Sequence, residues 1–503
     1  MATSNEKDSF SAALESAMRT IQGEWLLPAK PKTNEEARRK KVKHVEVERL
    51  GEKLVIPENV SYDEAIASIQ RIKEQQEQDI AIDSEIDCSV PDGAHALYMV
   101  LNEKFGWVNL EKTPGFFSDR PPTMMTVQVG VDKSIQVPWG QMTLPGLSGH
   151  IQPGYHEKPG MYKFAVQGTT KRKHEAQIME IVDEVRAYVR KNSIYRGSAV
   201  GMRFSDDCGN LLPVPETAFL NTSSVDEADL VFSSDVSRRI TESIFTPIEH
   251  TDVCRMAGVP LKRGVLLEGP YGCGKTLTAA VAAKKAQANG WTYIYCERAD
   301  ELKYALAFAQ QYGPAVLFCE DLDRVVSGDR SISMDEVLNI IDGVGSKSAE
   351  LLVVLTTNHV EKINQAMLRP GRLDAVISVT APDEEAAIRL VRTYAREQLD
   401  PEEDISEVGD ALAGMIPAVI REVVERSKLS AIALSGGKAI GITKDALLEA
   451  ATSMQRQLDL LNREQEKSED PQIVSAKITA KAIEGAFGSA QTNGKPAKEL
   501  VTR

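Results

Sequence analysis

Residues 269–276 of this chain read Gly-Pro-Tyr-Gly-Cys-Gly-Lys-Thr, and no other segment constrains the fold as strongly. The segment fits the pattern G-x-x-x-x-G-K-[ST], in which glycines let backbone N–H groups close around a polyphosphate. An apolar run at residues 265–267 precedes it, and an alanine-rich segment at residues 278–288 follows it. A strand, a loop and a helix in this order place the loop at a helix N-terminus, whose partial positive charge attracts phosphate. This context disfavours the alternative, a glycine turn without a ligand, and predicts a nucleotide site.

The lysine and the threonine that end this segment have separate predicted roles. Lys275 can reach the β- and γ-phosphates of a nucleotide, and Thr276 can hold Mg²⁺. The residues that we expect to bind the nucleotide are Gly269, Pro270, Tyr271, Gly272, Cys273, Gly274, Lys275, Thr276 and Leu277.

The composition is typical of a globular protein. The chain has 503 residues, 42% of them hydrophobic and 26% charged, which is room for about three domains. It has no apolar stretch near the roughly 18 to 20 residues that span a bilayer, and its N-terminus is too polar for a secretory signal. Six cysteines without a C-x-x-C pair indicate a reducing compartment, and a net charge of −14 disfavours a protein that coats DNA. We therefore expect a cytoplasmic protein with no membrane partner.

The N-terminal part of the chain carries no motif that indicates a chemistry. We expect a flexible or helical arm at residues 1–50, with a helix at 10–21 and a basic run at 38–43. A small helical region at 51–114 and a small α+β domain at 115–224 follow. The basic run is read as a solvated arm, with a nucleic-acid contact as the alternative. Hydrophobic periodicity predicts helices at 62–78, 94–105 and 171–191 and strands at 124–131, 134–137 and 161–166.

The pattern changes at about residue 225. Apolar runs then alternate with helical segments, which indicates a parallel sheet with crossover helices. We assign residues 225–383 to a large α/β subdomain, residues 384–489 to a helical subdomain and residues 490–503 to a disordered tail. The predicted strands are 265–267, 292–295, 316–319, 351–357 and 376–379, and the helical subdomain is predicted to include helices at 386–398, 416–430 and 443–461.

Two acidic residues, Glu320 and Asp321, end the predicted strand at residues 316–319. Beside a phosphate-binding loop, one carboxylate can order the water shell of Mg²⁺ while the other orients or deprotonates the attacking water. The alternative is a helix cap or a turn with incidental acids, and the upstream loop makes it the weaker interpretation.

Three further residues gain meaning only from this context. Asn358 follows the predicted strand at residues 351–357, and ligands of open α/β sheets lie outside the carboxyl ends of the strands. Its amide can hydrogen-bond the γ-phosphate and the attacking water together. Arg369 and Arg372 bracket a Pro-Gly turn and suit a finger that reaches the nucleotide of a neighbouring subunit. The alternative for all three is an ordinary solvent-exposed turn.

These segments, in this order, resemble a AAA-family ATPase module over residues 232–382. The resemblance implies ATP and Mg²⁺ as cofactors, a five-stranded parallel sheet, a helical lid and a ring with ATP sites between subunits. It gives Lys275 and Thr276 the Walker A roles, and Asn358 the sensor role. Arg369 and Arg372 match trans-acting fingers. The matching segments are 264–270, the strand before Glu320, the inter-subunit signalling motif at 341–344, and residues 356–359 and 369–374.

The order of the two acids departs from the common family pattern. Most AAA proteins end this strand in Asp-Glu, whereas this chain has Glu320 on the metal side, with Thr276, and Asp321 as the catalytic acid. Because Asp is one methylene shorter than Glu, we expect the change to affect hydrolysis more than nucleotide binding. The same order is similar to that of the mitochondrial AAA translocase that moves the folded Rieske protein, although no membrane span is expected in this chain.

A second departure concerns a pore loop. Threading unfoldases insert an aromatic-hydrophobic-Gly loop after the second strand, but here only residues 296–314 separate that strand from the next. Residues 300–311 are predicted to form one helix, in which Tyr304 has neighbours typical of a packed helix. Gly414 and the Pro417-Ala418 pair are a weak match to the lid segment that meets adenine.

The motif set predicts a ring-forming ATPase that remodels or translocates a macromolecule, most plausibly a protein. The ring would be a hexamer by the family default, with a heptamer open, and the N-terminal region would recognise the client or an adaptor. One alternative is a nucleic-acid motor or loader, supported by the basic run at 38–43 and by the Lys171-Arg172-Lys173 cluster. Another is an assembly scaffold gated by nucleotide, in which hydrolysis is slow.

Overall fold

The computed structural model describes residues 44–49, 52–57, 60–112, 119, 121–322, 350–359, 373–437 and 441–468. These residues divide into two units, one made of the chain up to residue 194 with residues 206–214, the other of residues 195–205 and everything from residue 215. Several predictions concern parts of the chain outside the described residues: the helix at 10–21, the basic run at 38–43, the motif at 341–344, Arg369, Arg372 and the tail from residue 490.

The first unit contains an α+β domain whose main sheet has five strands, in the order β3-β9-β8-β7-β4. Helix α3 (Glu175–Asn192) has one buried face, on which Ile178, Ile181, Val182 and Val185 are each at most 2% exposed. These are the residues whose helical spacing predicted the helix. The elements of this unit are β1 (His44–Arg49), β2 (Glu52–Pro57), α1 (Tyr62–Gln76), β3 (Asp79–Glu85), α2 (Val90–Phe105), β4 (Asn109–Leu110), β5 (Met124–Gly130), β6 (Lys133–Pro138), β7 (Met142–Thr143), β8 (Gly149–Lys158), β9 (Met161–Lys171) and α3 (Glu175–Asn192).

The second unit is built on a sheet of mostly parallel strands with the order β11-β10-β13-β14-β15-β12-β16. Every residue of β14 and β15 is buried, as expected for strands covered on both faces. The strands are β10 (Ala199–Ser205), β11 (Leu211–Phe219), β12 (Arg263–Glu268), β13 (Thr292–Cys296), β14 (Ala315–Cys319), β15 (Leu351–Thr357) and β16 (Ala375–Ser378).

The sheet has two strands more than the five predicted. All five predicted strands are present, but β10 pairs in parallel with β13 and β11 lies beyond β10. Strand β10 reads Ala-Val-Gly-Met-Arg-Phe-Ser, and its polar residues break the continuous apolar run typical of a buried parallel strand. The search for apolar runs therefore did not predict this strand.

Helices surround this sheet and form a separate helical layer after it. The helical layer has its own apolar core, in which Leu390, Val408, Ile420, Val423 and Leu447 are at most 1% exposed. The helices are α4 (Ser234–Ile240), α5 (Thr246–Glu249), α6 (Thr251–Met256), α7 (Lys275–Ala288), α8 (Leu302–Gln311), α9 (Glu384–Ala395), α10 (Ser406–Leu412), α11 (Pro417–Leu434) and α12 (Lys444–Ser468). Among the described helices, none combines the length and the apolar character needed to cross a membrane.

Candidate functional site

The carboxyl ends of three neighbouring strands bring the predicted site residues together. Strand β12 leads into the loop, and its last residue, Glu268, pairs with Thr357 at the end of β15. On the other side of β15, Cys319 at the end of β14 pairs with Leu355. The loop, the acidic pair and Asn358 therefore leave the sheet at one edge, which is where ligands of open α/β sheets lie.

Glycine is required at two points of the phosphate-binding loop. Gly269 and Gly272 have positive φ angles, of 154° and 76°. A Cβ atom at Gly269 would lie 2.4 Å from the Val379 carbonyl oxygen, and one at Gly272 would lie 2.8 Å from the Ala418 Cβ. A side chain at either position would therefore collide with its neighbour and strain the backbone.

Lys275 opens helix α7 and is only 7% exposed. Its ammonium donates hydrogen bonds to the carbonyl oxygens of Gly269, at 2.7 Å, and Pro270, at 3.0 Å. It also donates to Asn358 Oδ1 at 2.8 Å. An ammonium has three protons, so these acceptors match its full donor capacity. A nucleotide phosphate would bind here by replacing one or more of them as acceptor.

Asn358 connects this lysine to the acidic pair. Its Nδ2 donates to Asp321 Oδ1 at 2.8 Å, so Lys275, Asn358 and Asp321 form one hydrogen-bonded row, which we call the lysine arm. The backbone N–H of Asp321 donates to Thr356 Oγ1 at 3.1 Å, and the residue has a positive φ of 50°. Asp tolerates this left-handed conformation better than most side chains do, so the backbone here favours the shorter acid.

A second row begins at the next residue of the loop. Thr276 Oγ1 donates to Glu320 Oε1 at 2.6 Å, and the Tyr295 hydroxyl donates to Glu320 Oε2 at 2.8 Å. We call Thr276, Glu320 and Tyr295 the threonine arm. Tyr295 was not among the residues predicted from the sequence, since it lies inside an apolar run. Its partial burial, and then the hydrogen bond to Glu320, raise the pKa of the Tyr295 hydroxyl, which therefore remains a donor.

The oxygen atoms of the threonine arm are suitable ligands for Mg²⁺, because this ion prefers hydroxyl and carboxylate oxygens. Within the described residues, no group of three or more His, Cys, Asp or Glu side chains could hold a metal ion by itself. Mg²⁺ usually takes one or two protein oxygens together with substrate phosphates and water. Thr276 and Glu320 would hold it.

The helical layer meets the loop through the segment that weakly matched an adenine contact. The Ala418 N–H donates to the Gly272 carbonyl oxygen at 3.3 Å, close to the start of α11. Phe232, which the sequence did not single out, lies against the loop, 3.0 Å from the Cβ position of Gly274. Arg389 of α9 donates to the Phe232 carbonyl oxygen at 2.8 Å. The loop is thus bordered by the apolar side chains of Phe232 and Ala418.

Tyr304 lies on helix α8, as predicted. Its neighbours Leu302, Ala305 and Leu306 are at most 1% exposed, and Tyr304 itself is half-buried with the Lys303 ammonium 4.6 Å from its ring centre. The helix therefore packs on the sheet, and Tyr304 is not part of a free loop. Arg369 and Arg372 lie outside the described residues. The nearby Asp374 is anchored at the other end of β12, where its Oδ2 accepts from the Gly264 N–H at 2.8 Å.

Comparison with known proteins assigns a family to the region that carries this site. Residues 265–381 match the family described as "ATPase family associated with various cellular activities (AAA)". The proteasome-activating nucleotidase of Aeropyrum pernix is 26% identical to this chain over 350 residues, which cover 60% of this chain and 84% of that protein. The chain therefore contains an AAA ATPase domain and is an ATP hydrolase.

Proposed function

We propose that this protein is a ring-forming ATPase that uses Mg²⁺ and ATP to remodel or translocate a protein client. The observation that carries the proposal is the lysine arm, in which Lys275, Asn358 and Asp321 meet at the carboxyl edge of the sheet. The row holds an ammonium, an amide and a carboxylate within hydrogen-bond distance of one another. This supports the proposal, because phosphate binding, orientation of the attacking water and removal of its proton can each be assigned to one of these groups.

In this proposal Lys275 binds the β- and γ-phosphates, and Asp321 accepts a proton from the attacking water. Asn358 lies between them, and its amide hydrogen-bonds the γ-phosphate and the water. When bound, Mg²⁺ neutralises the charge that develops on the phosphate oxygens. Thr276 and Glu320 would hold that ion.

A protein client is supported by the similarity to a proteasome-activating nucleotidase, whose name describes a nucleotidase that activates a proteasome. The first unit, which lies outside the matched AAA segment, is the proposed site of client or adaptor recognition. The order Glu320-Asp321 supports a closer relation to the Rieske-protein translocase branch, and a ring of six or seven subunits follows from these resemblances. The cysteine pattern, which is typical of a reducing compartment, supports a cytoplasmic location.

The ring can be tested by mixing two inactive variants. Lys275→Ala removes the phosphate contact of a subunit's own site, and Arg369→Ala removes the proposed finger that reaches the neighbour's site. In a mixed ring, some sites pair an intact Lys275 with an intact Arg369 from the next subunit. We expect ATPase activity to reappear on mixing, whereas each variant alone stays inactive.

The same experiment has a built-in control. A mixture of Lys275→Ala with a chain that carries both changes contains no Lys275 and must stay inactive. Full activity of Arg369→Ala as an isolated monomer would contradict a trans-acting finger. Repeating the mixture with Arg372→Ala decides which arginine acts.

The client class can be tested with a variant that binds ATP without releasing its client. Asp321→Asn keeps an oxygen for the Asn358 amide but cannot take a proton, so it should hold ATP and client together. We expect proteins to be recovered with this variant in ATP and lost when Lys275→Ala is added to it. Recovery of nucleic acid in place of protein would contradict the proposal.

The nucleic-acid alternative loses part of its support in the described residues. Of the Lys171-Arg172-Lys173 cluster, Lys171 lies 3.0 Å from Asp79 and Lys173 is paired with Glu77. Cations that are already paired offer less charge to a phosphate backbone. A motor of this kind predicts ATPase stimulation by DNA or RNA that falls steeply with salt, and no stimulation at low salt would exclude it.

The scaffold alternative rests on the shorter reach of Asp321. It predicts rings that assemble when ATP binds and persist because hydrolysis is slow. Single-turnover hydrolysis measured beside sedimentation of the same sample separates the two functions. Hydrolysis faster than ring dissociation supports the motor, and the reverse supports the scaffold.

A further inference from the structure

We infer that Tyr295 is a positioning residue that holds the Glu320 carboxylate in the orientation needed on the metal side of the ATPase site. This inference deepens the proposed function and rests on the role of Glu320 in it. Tyr295 belongs to neither the phosphate-binding loop nor the acidic pair. What assigns it to the site is its hydroxyl, 2.8 Å from Glu320 Oε2.

The two oxygens of Glu320 have different hydroxyl donors. Thr276 donates to Oε1 at 2.6 Å and Tyr295 donates to Oε2 at 2.8 Å. Thr276 is itself expected to contact Mg²⁺, so its bond to Glu320 must adjust when the ion binds. Tyr295 has no such second task. It can therefore keep one carboxylate oxygen fixed while the other turns to the ion.

The backbone fixes the distance between these two side chains. Tyr295 pairs in register with Phe318 of the neighbouring parallel strand, and the next pair, Cys296 with Cys319, directly precedes Glu320. Tyr295 is half-buried and packs against the apolar core of the sheet. Its hydroxyl therefore has a defined position at the sheet edge, independent of the loop.

The unusual acid order explains why such a residue is useful here. Glu has one more rotatable bond than Asp and loses more side-chain entropy when it is held in one conformation. A second hydrogen-bond donor, already held in place by the sheet, limits the orientations of the longer side chain before the metal arrives. Groups that orient a metal ligand in this way typically change metal affinity or activity about 10- to 100-fold when removed.

The chain provides a matched control on the same strand. Tyr293 lies two residues before Tyr295 and so on the same face of β13. It is 1% exposed, and its hydroxyl has no hydrogen-bond partner within the described residues. Tyr293→Phe and Tyr295→Phe therefore remove the same atom from neighbouring positions, but only the second removes a contact with Glu320.

The experiment compares these two variants with the unmodified protein, as full chains. The first readout is the affinity for Mn²⁺ in the presence of ADP, measured by electron paramagnetic resonance with Mn²⁺ in place of Mg²⁺. The others are kcat and KM for ATP and the melting temperature. For Tyr295→Phe we expect Mn²⁺ affinity and kcat to fall about tenfold. The KM for ATP and the melting temperature should stay close to those of the unmodified protein. Tyr293→Phe should change neither Mn²⁺ affinity nor the kinetic values, and it should raise the melting temperature, because it removes a buried hydroxyl that has no partner within the described residues.

A third variant tests whether Tyr295 acts through Glu320. Glu320→Asp shortens the acid by one methylene and removes its reach to the tyrosine. In that background, Tyr295→Phe should have no further effect on Mn²⁺ affinity. An additional tenfold loss there would overturn the inference, because Tyr295 would then be acting through another group.

The remaining outcomes are also decisive. Equal effects of Tyr295→Phe and Tyr293→Phe, or a lower melting temperature with unchanged Mn²⁺ affinity, would show a structural role and overturn the positioning role. In both cases the unmodified protein would still bind Mn²⁺ with ADP and hydrolyse ATP, and the proposed function would stand. An unmodified protein that neither binds Mn²⁺ with ADP nor hydrolyses ATP would overturn both.

Discussion

The two hydrogen-bonded rows that begin at Lys275 and Thr276 of the phosphate-binding loop differ in chemistry. The lysine arm joins an ammonium, an amide and a carboxylate, and it comes from the loop and from the ends of two strands. The threonine arm joins two neutral hydroxyls to one carboxylate. A row that carries both charges can bind phosphate and move a proton, whereas hydroxyls around a carboxylate can hold it in place and offer oxygen ligands to Mg²⁺. From this comparison we propose that the lysine arm performs the chemistry and that the threonine arm sets the geometry on the metal side.

The largest effect that this comparison predicts is the loss of nucleotide binding in Lys275→Ala. The change removes the only cation of the lysine arm and leaves the Gly269, Pro270 and Asn358 oxygens without their donor. We expect no binding of a fluorescent ATP analogue at concentrations that saturate the unmodified protein. Lys303→Ala, an exposed lysine on α8, is the control and should bind normally. Normal binding by Lys275→Ala would remove this loop from the site.

The next effect separates chemistry from binding within the same arm. Asp321→Asn keeps the oxygen that accepts from Asn358 but cannot take a proton. Loss of a general base typically lowers the rate about 10²- to 10⁴-fold, so ATP turnover should fall by that order while ATP affinity stays within a few-fold. Single-turnover hydrolysis measures the turnover rate, and equilibrium binding measures the ATP affinity. If turnover were unchanged, the proton would go elsewhere and the two arms would not differ as proposed.

A smaller effect is expected from a substitution in the phosphate-binding loop, from which both arms start. Gly272→Ala forces a left-handed conformation on a residue with a Cβ, at about 1–2 kcal/mol, and brings that atom against Ala418. Gly290 has a similar positive φ of 73° with nothing within 4 Å of its Cβ position, so Gly290→Ala suffers the backbone strain alone. Urea unfolding should show Gly272→Ala to be the less stable variant.

Only the variant at the loop should also lose nucleotide affinity, because Gly272 belongs to the phosphate-binding loop and Gly290 does not. Equal losses of stability in the two variants would mean that the close approach to Ala418 contributes nothing.

The smallest effect concerns the order of the acids. Exchanging them, as Glu320→Asp with Asp321→Glu, restores the common family order but should not raise activity. Glu at position 321 would take a positive φ of 50°, which costs about 1 kcal/mol, and Asp at position 320 would not reach Tyr295. We expect slower hydrolysis and slightly lower stability in urea, with Asp321→Glu alone as the control for the backbone cost. A faster exchanged enzyme would mean that side-chain reach outweighs the local backbone.

Most of the sheet could be predicted because its strands are buried on both faces. Such strands read as continuous apolar runs, as in Val316-Leu317-Phe318, and β12 to β16 were all found in this way. Strand β10 was not predicted, because Arg203 interrupts its apolar pattern. Tyr304 was correctly expected to lie on a packed helix, since the helical spacing of its apolar neighbours is a local property.

The candidate site could be predicted where its residues belong to a sequence motif. The roles of these residues stay predictions. The sequence pointed to Lys275, Thr276, Glu320, Asp321 and Asn358, which the fold gathers at one edge of the sheet. Tyr295 and Phe232 were missed, because each is one aromatic residue in an apolar surrounding. The pairing of β13 with β14 could have drawn attention to Tyr295, since it places the end of one strand beside the acids that end the other.

By itself, the sequence determined that a phosphate-binding loop lies between a buried strand and a helix, followed by an acidic pair and a polar strand end. These are local facts, because glycine spacing, apolar runs and caps depend on residues that are neighbours in the chain. Only the tertiary structure decided that Asn358 bridges Lys275 and Asp321, and that Tyr295 binds Glu320. The physical reason is that hydrogen bonds act over about 3 Å, and the positions that they join here are 25 to 83 residues apart in the chain.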